Sequence, residues 1–319
     1  MYRILNLNKH SEKGLKNVPD TYSYTTEENA PDAVLVRSAS MHDMAFPESL
    51  KAIARAGAGV NNIPIDRCSE NGIVVFNTPG ANANAVKELV LCAMLLSSRK
   101  IPAAIDWVKT LKGSGAEMSK AVEKGKSAFA GPELKGKALG VVGLGAIGVL
   151  VANAARALGM TVYGYDPFLS VDAAWALSRG VHHSATLDEI FANCDYITLH
   201  VPLTPDTKEM ICKKNIDQMK DNVRIMNFAR GDLVNTADVI EALGSGKIAA
   251  YATDFGTDEL LDVPGVLVLP HPGASTPEPA ENCAVLAVDA VRDFLDNGHL
   301  THPANPPDSS VPRTDTPTI

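Results

Sequence analysis

The chain has 319 residues, enough for two domains that each bury a core of their own. Its formal net charge of −8 leaves no basic face for a phosphate backbone, which argues against nucleic acid, and its longest apolar run, residues 89–96, falls short of the roughly 20 residues that span a bilayer. The five cysteines (Cys68, Cys92, Cys194, Cys212, Cys283) are scattered without a C-x-x-C pair, a pattern of reduced cytosolic thiols with no metal site expected.

The N-terminus, MYRILNLNKH, alternates apolar and polar residues as a first strand does. It lacks the apolar core of a signal peptide, so a cytoplasmic protein without an export signal is expected. Strands are predicted at residues 4–7, 33–36, 52–56 and 73–76, with Pro31, Pro47, Pro64 and Pro79 punctuating them. Gly57, Gly59, Asn61 and Asn62 mark a loop at a strand's end. Ligands of open α/β sheets sit beyond the carboxyl ends of strands, so the loop from Ala58 to Asn62, with Gly59, Val60 and Asn61, is a candidate to hold an anion with backbone amides. Residues 84–99 and 102–111 read as helices that could cross between domains or subunits. From Gly113 to Lys137 the chain turns polar and lysine-rich (Lys120, Lys124, Lys126, Lys135, Lys137), as the solvated face of a surface arm would.

A short apolar run at residues 139–142 predicts a buried strand, and Gly143, Gly145 and Gly148 follow it at G-x-G-x-x-G spacing. The first glycine permits a tight turn and the second lets backbone amides approach a pyrophosphate. The third allows close packing of strand against the Ala-rich helix 146–158, which begins with Ala146 and Ile147 and whose N-terminus attracts phosphate. Asp166 ends the next apolar run, 18 residues after Gly148. A carboxylate there accepts hydrogen bonds from ribose hydroxyls and repels a 2′-phosphate. No Arg or Lys follows before Arg179, and the pattern predicts NAD rather than NADP.

Further strands are predicted at residues 196–200, 224–228, 249–253 and 266–269, and a long helix at 276–297 that would return the chain to the first domain. The last stretch, THPANPPDSSVPRTDTPTI, carries five prolines and reads as a loose tail. The expected organisation is a substrate-binding lid domain over 1–98, a nucleotide-binding domain over 99–278, and the return helix with the tail over 279–319. Hinges are expected near 97–102 and 275–279, and closure over a cleft would exclude water from the reaction.

Three residues sit where strands of the nucleotide domain should end: Arg230 in NFARGDLV, Glu259 in TDFGTDE and His271 in VLPHPGAST. Oxidising an alcohol carbon needs a base for the hydroxyl proton, and histidine titrates nearest neutral pH, which selects His271. A nearby carboxylate favours the protonated ring and fixes its tautomer, the role expected of Glu259. Arg230 supplies a planar fork of donors that can grip a carboxylate and polarise a carbonyl.

With NTPGANANAVKELV from Asn77, ITLHVPLTPDT from Ile197, HPGAST from His271, and Glu259 five residues after Asp254, the chain resembles the D-isomer-specific 2-hydroxy acid dehydrogenases over nearly all of its length. The resemblance implies an α/β protein of two Rossmann-like domains, a doubly wound parallel-sheet NAD-binding domain inserted into a smaller flavodoxin-like substrate (lid) domain. It implies that His200, Pro202, Thr207, Ala229, Arg230, Asp254, His271 and Gly273 join the glycine turn in holding NAD, with Asp254 on the nicotinamide carboxamide. It further implies that the Gly59 loop binds the carboxylate of a small 2-hydroxy or 2-keto acid with Asn61 nearby, and that the chain is a homodimer joined through the helix beginning at Asn84. The segments VRSAS from Val36, ARAGAGVNNIP from Ala54, YDPF from Tyr165 and ENCAV from Glu281 are most similar to the branch that oxidises 3-phospho-D-glycerate. There Arg37 with Ser38 would grip the phosphate, and Lys87 is either a further donor or an exposed helix residue. Reduction of glyoxylate or hydroxypyruvate is the alternative with the same chemistry, and an NAD-sensing binding protein, like the co-repressor relatives, is a third. The chain ends near residue 319 without the C-terminal amino-acid-sensing domain of longer relatives, so feedback by serine is not expected. ATDF stands for the commoner LDVF, a small repacking that should spare Asp254.

Overall fold

The computed structural model describes residues 1–8, 21–57, 59–273, 275–300 and 303–305. They divide into two compact units, Met1–Asn82 with Ser275–Ile319, and Ala83–Ala274. In chain order the first unit supplies β1 (Tyr2–Asn6), β2 (Tyr22–Thr25), β3 (Ala33–Val36), β4 (Ala52–Arg55), α1 (Ile65–Glu70) and β5 (Val74–Phe76). The second holds α2 (Ala83–Ser98), α3 (Ile101–Thr110), α4 (Met118–Gly125), β6 (Ala138–Val142), α5 (Ala146–Ala157), β7 (Thr161–Tyr165), α6 (Val171–Ala176), β8 (Val181–His183), α7 (Leu187–Asn193), β9 (Tyr196–Leu199), α8 (Lys213–Ile216), β10 (Val223–Asn227), α9 (Thr236–Ser245), β11 (Ile248–Thr253) and β12 (Val266–Val268). Helix α10 (Pro277–Asn297) belongs to the first unit again.

The first unit is built on a five-stranded parallel sheet in the order β2-β1-β3-β4-β5, the flavodoxin-like arrangement. Successive strand residues point to opposite faces, and the core composition follows that period. Ile4, Leu35, Ala54 and Phe76 pack with Ala287, Val288, Val291 and Leu295 of α10. Their chain neighbours Leu5, Val34, Ile53 and Val75 join Met41, Leu50, Ile63 and Cys68 on the other side. Strands covered on both faces read as apolar runs, which is why β3 to β5 are visible in the sequence. Strand β2 is not, because Tyr-Ser-Tyr-Thr lies at the sheet edge with three of its four residues only partly buried.

The second unit carries a seven-stranded parallel sheet in the order β12-β11-β10-β9-β6-β7-β8. Its order reverses between β6 and β9, the doubly wound topology whose crevice opens at the carboxyl ends of those two strands. Val86, Val90, Ala93 and Met94 of α2 share one core with Val149, Ala152 and Ala155 of α5. Burial of that apolar stripe places α2 with the second unit, so the units part at 82/83, earlier than the boundary at 98 expected from the sequence. The lysine-rich stretch 113–137 contains helix α4, whose residues are all at least partly exposed. Lys120 pairs with Glu117 at 3.1 Å and Lys126 with Glu123, surface pairs that serve solubility more than stability.

Within the expected loose tail, Pro303–Asn305 are ordered against the edge strand β5; residues 301, 302 and 306–319 lie outside the described residues. Pro303 bridges Phe76, and the Ala304 amide donates to the Val75 carbonyl at 2.7 Å. The Asn305 side chain then acts as a peptide group would. Its Oδ1 accepts from the Val75 amide at 2.6 Å and its Nδ2 donates to the Ile73 carbonyl at 3.0 Å. Asn305→Ala leaves both buried backbone groups without partners, at about 1–3 kcal/mol each. Amide exchange at Val75 should accelerate and the urea midpoint of the first unit should fall; an unchanged midpoint would refute this role for Asn305.

Candidate cofactor and active site

Strand β6 delivers the chain into the glycine turn at the point where the sheet order reverses. Gly143 has φ +91°, and a Cβ on it would lie 2.6 Å from the His200 carbonyl oxygen, so only glycine fits between β6 and the end of β9. A Cβ on Gly148 would stand 1.9 Å from the Gly143 carbonyl oxygen, which fixes how closely α5 packs on the turn. At Gly145 a Cβ would meet nothing within 4 Å. Gly145 is also the N-cap of α5 and offers no side chain to the first-turn amides of Ala146 and Ile147. Open space before uncapped helix amides suits a pyrophosphate.

Asp166 follows β7 and ties two backbone groups, accepting from the Leu144 amide through Oδ2 at 2.8 Å and from the Phe168 amide through Oδ1 at 2.8 Å. It therefore braces the glycine turn, a structural role the sequence alone did not indicate. Each carboxylate oxygen keeps capacity for another donor. Asp166→Ala should raise the KM for NAD by about tenfold or more, taking about 1.5–3 kcal/mol for a lost charged hydrogen bond, and should bring NADP turnover closer to that of NAD. An unchanged ratio between the two cofactors would show that another group reads the ribose.

The remaining residues predicted for the site gather at the carboxyl edge of the same sheet. His200 follows β9, its Nε2 3.0 Å from Thr198 Oγ1, and burial of the ring pushes its pKa down to about 4. The ring is thus neutral near pH 7. Pro202 and Thr207 close the next turn, the Thr207 hydroxyl donating to the Pro202 carbonyl at 2.7 Å. Ala229 and Arg230 follow β10; Arg230 is exposed, its guanidinium donating to the Ala229 carbonyl at 2.6 Å, while its own carbonyl accepts from Asn227 Nδ2 at 2.8 Å.

Asp254 follows β11 and His271 follows β12, and the pairing of these two strands brings them together. His271 Nδ1 lies 3.0 Å from Asp254 Oδ2 and its ring packs beside Phe255 at 5.4 Å. The His271 backbone has φ +52°, a left-handed conformation that a histidine adopts only when its surroundings require it. The Asp254 side chain is 2% exposed, against 71% for that of His271, and burial raises its pKa while His271 pulls it back down. Its second oxygen, Oδ1, is buried without a hydrogen-bond partner. An unpaired buried acceptor beside the histidine suits an amide donor such as a carboxamide. Glu259 stands on an exposed 3-10 turn, Asp258–Leu260, and no described contact joins it to His271, so Asp254 is the carboxylate on the imidazole. Gly273 is buried nearby, its position for a Cβ 3.8 Å from Asp254 Oδ2. Lys87, on α2, pairs with Glu88 at 3.6 Å.

The residues expected to bind substrate in the first unit lie at the carboxyl ends of β3 and β4. Arg37 and Ser38 are exposed after β3. Gly59, Val60 and Asn61 follow β4, and His42 Nε2 lies 3.0 Å from the Asn61 carbonyl. Ala58 lies outside the described residues.

A doubly wound sheet with an open glycine turn at its switch point and an acid closing the next strand defines a dinucleotide-binding domain. The family profile described as D-isomer specific 2-hydroxyacid dehydrogenase, NAD binding domain, matches residues 91–273. The chain is 38% identical over 316 residues to D-3-phosphoglycerate dehydrogenase of Bacillus subtilis, a match covering 92% of this chain and 57% of that protein. Among solved structures, the NAD+-bound 3-phosphoglycerate dehydrogenase of Entamoeba histolytica is 26% identical with a TM-score of 0.66, covering 96% of this chain and 99% of that one. A glyoxylate reductase from Paecilomyes thermophila is 25% identical with a TM-score of 0.73, covering 95% and 98%. The chain belongs to the D-isomer specific 2-hydroxyacid dehydrogenase family, and its second unit carries that family's NAD-binding domain. It spans about half the length of the curated relatives it matches.

Proposed function

We propose that the protein oxidises 3-phospho-D-glycerate to 3-phosphohydroxypyruvate with NAD. The observation that carries this reading is the gathering of His271, Asp254 and Arg230 on the sheet edge that also bears the open glycine turn. The extent of the likeness to named phosphoglycerate dehydrogenases, together with Arg37 after β3, supports the phosphorylated substrate.

Gly145, Ala146, Ile147 and Gly148 would cradle the pyrophosphate, Asp166 the ribose and Asp254 Oδ1 the carboxamide of NAD, which when bound supplies the hydride acceptor. His271 removes the proton of the 2-hydroxyl group. With Nδ1 committed to Asp254, Nε2 is the nitrogen left for that proton, and the carboxylate stabilises the imidazolium once formed. Glu259 adds negative charge from its neighbouring turn. Arg230 unfolds from the Ala229 carbonyl to take the substrate carboxylate through its fork and to polarise the 2-oxygen. In the first unit, the Gly59 loop with Asn61 is the candidate for binding a substrate carboxylate, and Arg37 the candidate for the phosphate. The five cysteines, free of disulfides, fit a cytoplasmic enzyme. A homodimer would cover apolar side chains such as Leu95 on α2 and Ile105 on α3, exposed by 43% and 52%. Among the described residues no helix is long and apolar enough to cross a membrane.

The test is a set of initial rates for 3-phosphoglycerate, hydroxypyruvate, glyoxylate and D-lactate with the matching cofactor form. The reading requires kcat/KM for 3-phosphoglycerate to exceed the others by more than about tenfold, a difference of about 1.4 kcal/mol. A smaller preference overturns it in favour of glyoxylate or hydroxypyruvate reduction. Absence of turnover with every substrate would leave an NAD-sensing binding protein.

A further inference from the structure

Strands β10 and β11 end with Asn227 opposite Thr253, and Tyr251 stands two residues before Thr253 on the same face of the sheet. All three are buried, and Tyr251 packs with Ile225, Leu233, Val234 and Leu260 in the apolar core of the second unit. Polar groups in such a place cost desolvation unless they find partners. Here the partners are one another and the backbone of the two loops that carry Arg230 and Asp254.

Asn227 closes the loop after β10 upon itself. Its Oδ1 accepts from the Ala229 amide at 3.3 Å and its Nδ2 donates to the Arg230 carbonyl at 2.8 Å, which fixes the backbone from which the Arg230 guanidinium extends. Nδ2 also reaches the Tyr251 hydroxyl, at 3.5 Å. Burial raises the Tyr251 pKa, hydrogen bonds with Thr253 and Asn227 lower it, and the Asp254 charge raises it again, so the group is a neutral phenol near pH 7. Thr253 Oγ1 accepts in turn from the Phe255 amide at 3.1 Å. Phe255 directly follows Asp254, and its ring packs beside that of His271 with centroids 5.4 Å apart. A Cβ on Gly231 would stand 3.3 Å from Phe255 Cβ, so the residue after Arg230 lies against the residue after Asp254.

We propose that Asn227, Tyr251 and Thr253 form a buried polar bridge that positions Arg230 relative to the Asp254–His271 pair, so that the group gripping the carboxylate and the group moving the proton keep one separation. All three are positioning residues and act through the loops they hold. Apolar side chains of similar size would fill the same space without desolvated polar groups, so the effect of the trio lies in geometry more than in stability. Hydrogen bonds in such a network reinforce one another, and a shift of about 1 Å in a gripping group can cost about a hundredfold in rate. The bridge rests on the roles proposed above for Arg230 and His271; which 2-keto acid is reduced does not enter it.

The test is a double-mutant cycle on Asn227 and Arg230, read as the affinity of the protein–NADH complex for oxamate, a carboxylate analogue of 2-keto acids, by fluorescence titration. Arg230→Lys keeps the charge but loses the planar fork and should weaken oxamate about tenfold. Asn227→Ala should weaken it about tenfold or more in the wild-type background, yet less than about threefold once Arg230 is lysine, because the fork it directs is gone. NADH affinity should change by less than about threefold in each variant, since the glycine turn and Asp166 are untouched. Tyr251→Phe removes one oxygen, keeps the packing and serves if Asn227→Ala does not fold; its loss should show the same dependence on Arg230. Thr253→Val should also weaken oxamate, and Thr253→Ser, which retains the hydroxyl, should not. Unaltered oxamate affinity in Asn227→Ala and Tyr251→Phe would overturn the bridge, as would losses that persist in full beside Arg230→Lys or a Thr253→Ser as impaired as Thr253→Val. Oxamate bound equally by Arg230→Lys and the wild type, or not bound by the wild type, would overturn the role of Arg230 and the bridge with it. If the cycle behaves as stated while 3-phosphoglycerate is not the preferred substrate, the bridge stands and only the proposed substrate fails.

Discussion

Replacing His271 with alanine should lower turnover by about two to four orders of magnitude while leaving NADH affinity, measured by fluorescence titration, within about twofold of the wild type. The separation follows from the geometry. His271 reaches Asp254 through Nδ1, whereas the pyrophosphate and ribose positions proposed above lie at the glycine turn and Asp166. Removing the ring takes away the proton acceptor and leaves those positions intact. Turnover unchanged in the variant would contradict the assignment.

The glycine turn offers an equally large effect and a sharper contrast. In Gly148→Ala the new methyl would have to occupy a point 1.9 Å from the Gly143 carbonyl oxygen, so α5 must move away from the end of β6. Overpacking of this kind costs about 1–3 kcal/mol and at times more. The melting temperature should fall, and NADH affinity should drop by about a hundredfold as the turn opens. Gly145→Ala should behave differently. Its methyl meets no protein atom within 4 Å, so stability should stay near that of the wild type, yet the methyl stands in the space assigned to the pyrophosphate and should cost about tenfold or more in affinity. A Gly145→Ala protein that binds NADH as well as the wild type would move the cofactor out of this turn.

What the sequence reveals and what it hides follow one physical rule. Strands buried on both faces announce themselves, and β6, β9, β10 and β11 are found within a residue or two of their predicted ends. The edge strand β8, with Val-His-His, carries no such run and is missed. Helix α4 is hidden because its Lys and Glu residues give it no buried stripe to read. The dinucleotide motif is legible because its glycines recur at fixed spacing directly after a buried strand, although the contact that demands Gly143 comes from His200 at the end of β9.

Contacts between distant parts of the chain are harder to see. The need for a carboxylate beside His271 and the family resemblance point to Glu259, whereas in the structure the pairing of β11 with β12 brings Asp254 to the imidazole. Asn305 sits in a Pro-rich stretch that reads as loose, and only the unpaired edge of β5 explains why residues 303–305 are held.

The measurement that bears most directly on the whole account is a crystal structure of the protein with NADH and 3-phosphohydroxypyruvate. It should show His271 Nε2 within about 3 Å of the 2-oxygen, Arg230 on the substrate carboxylate and the dinucleotide on the Gly143–Gly148 turn. A 2-oxygen bound by other groups, with His271 turned to solvent or the dinucleotide away from that turn, would contradict it.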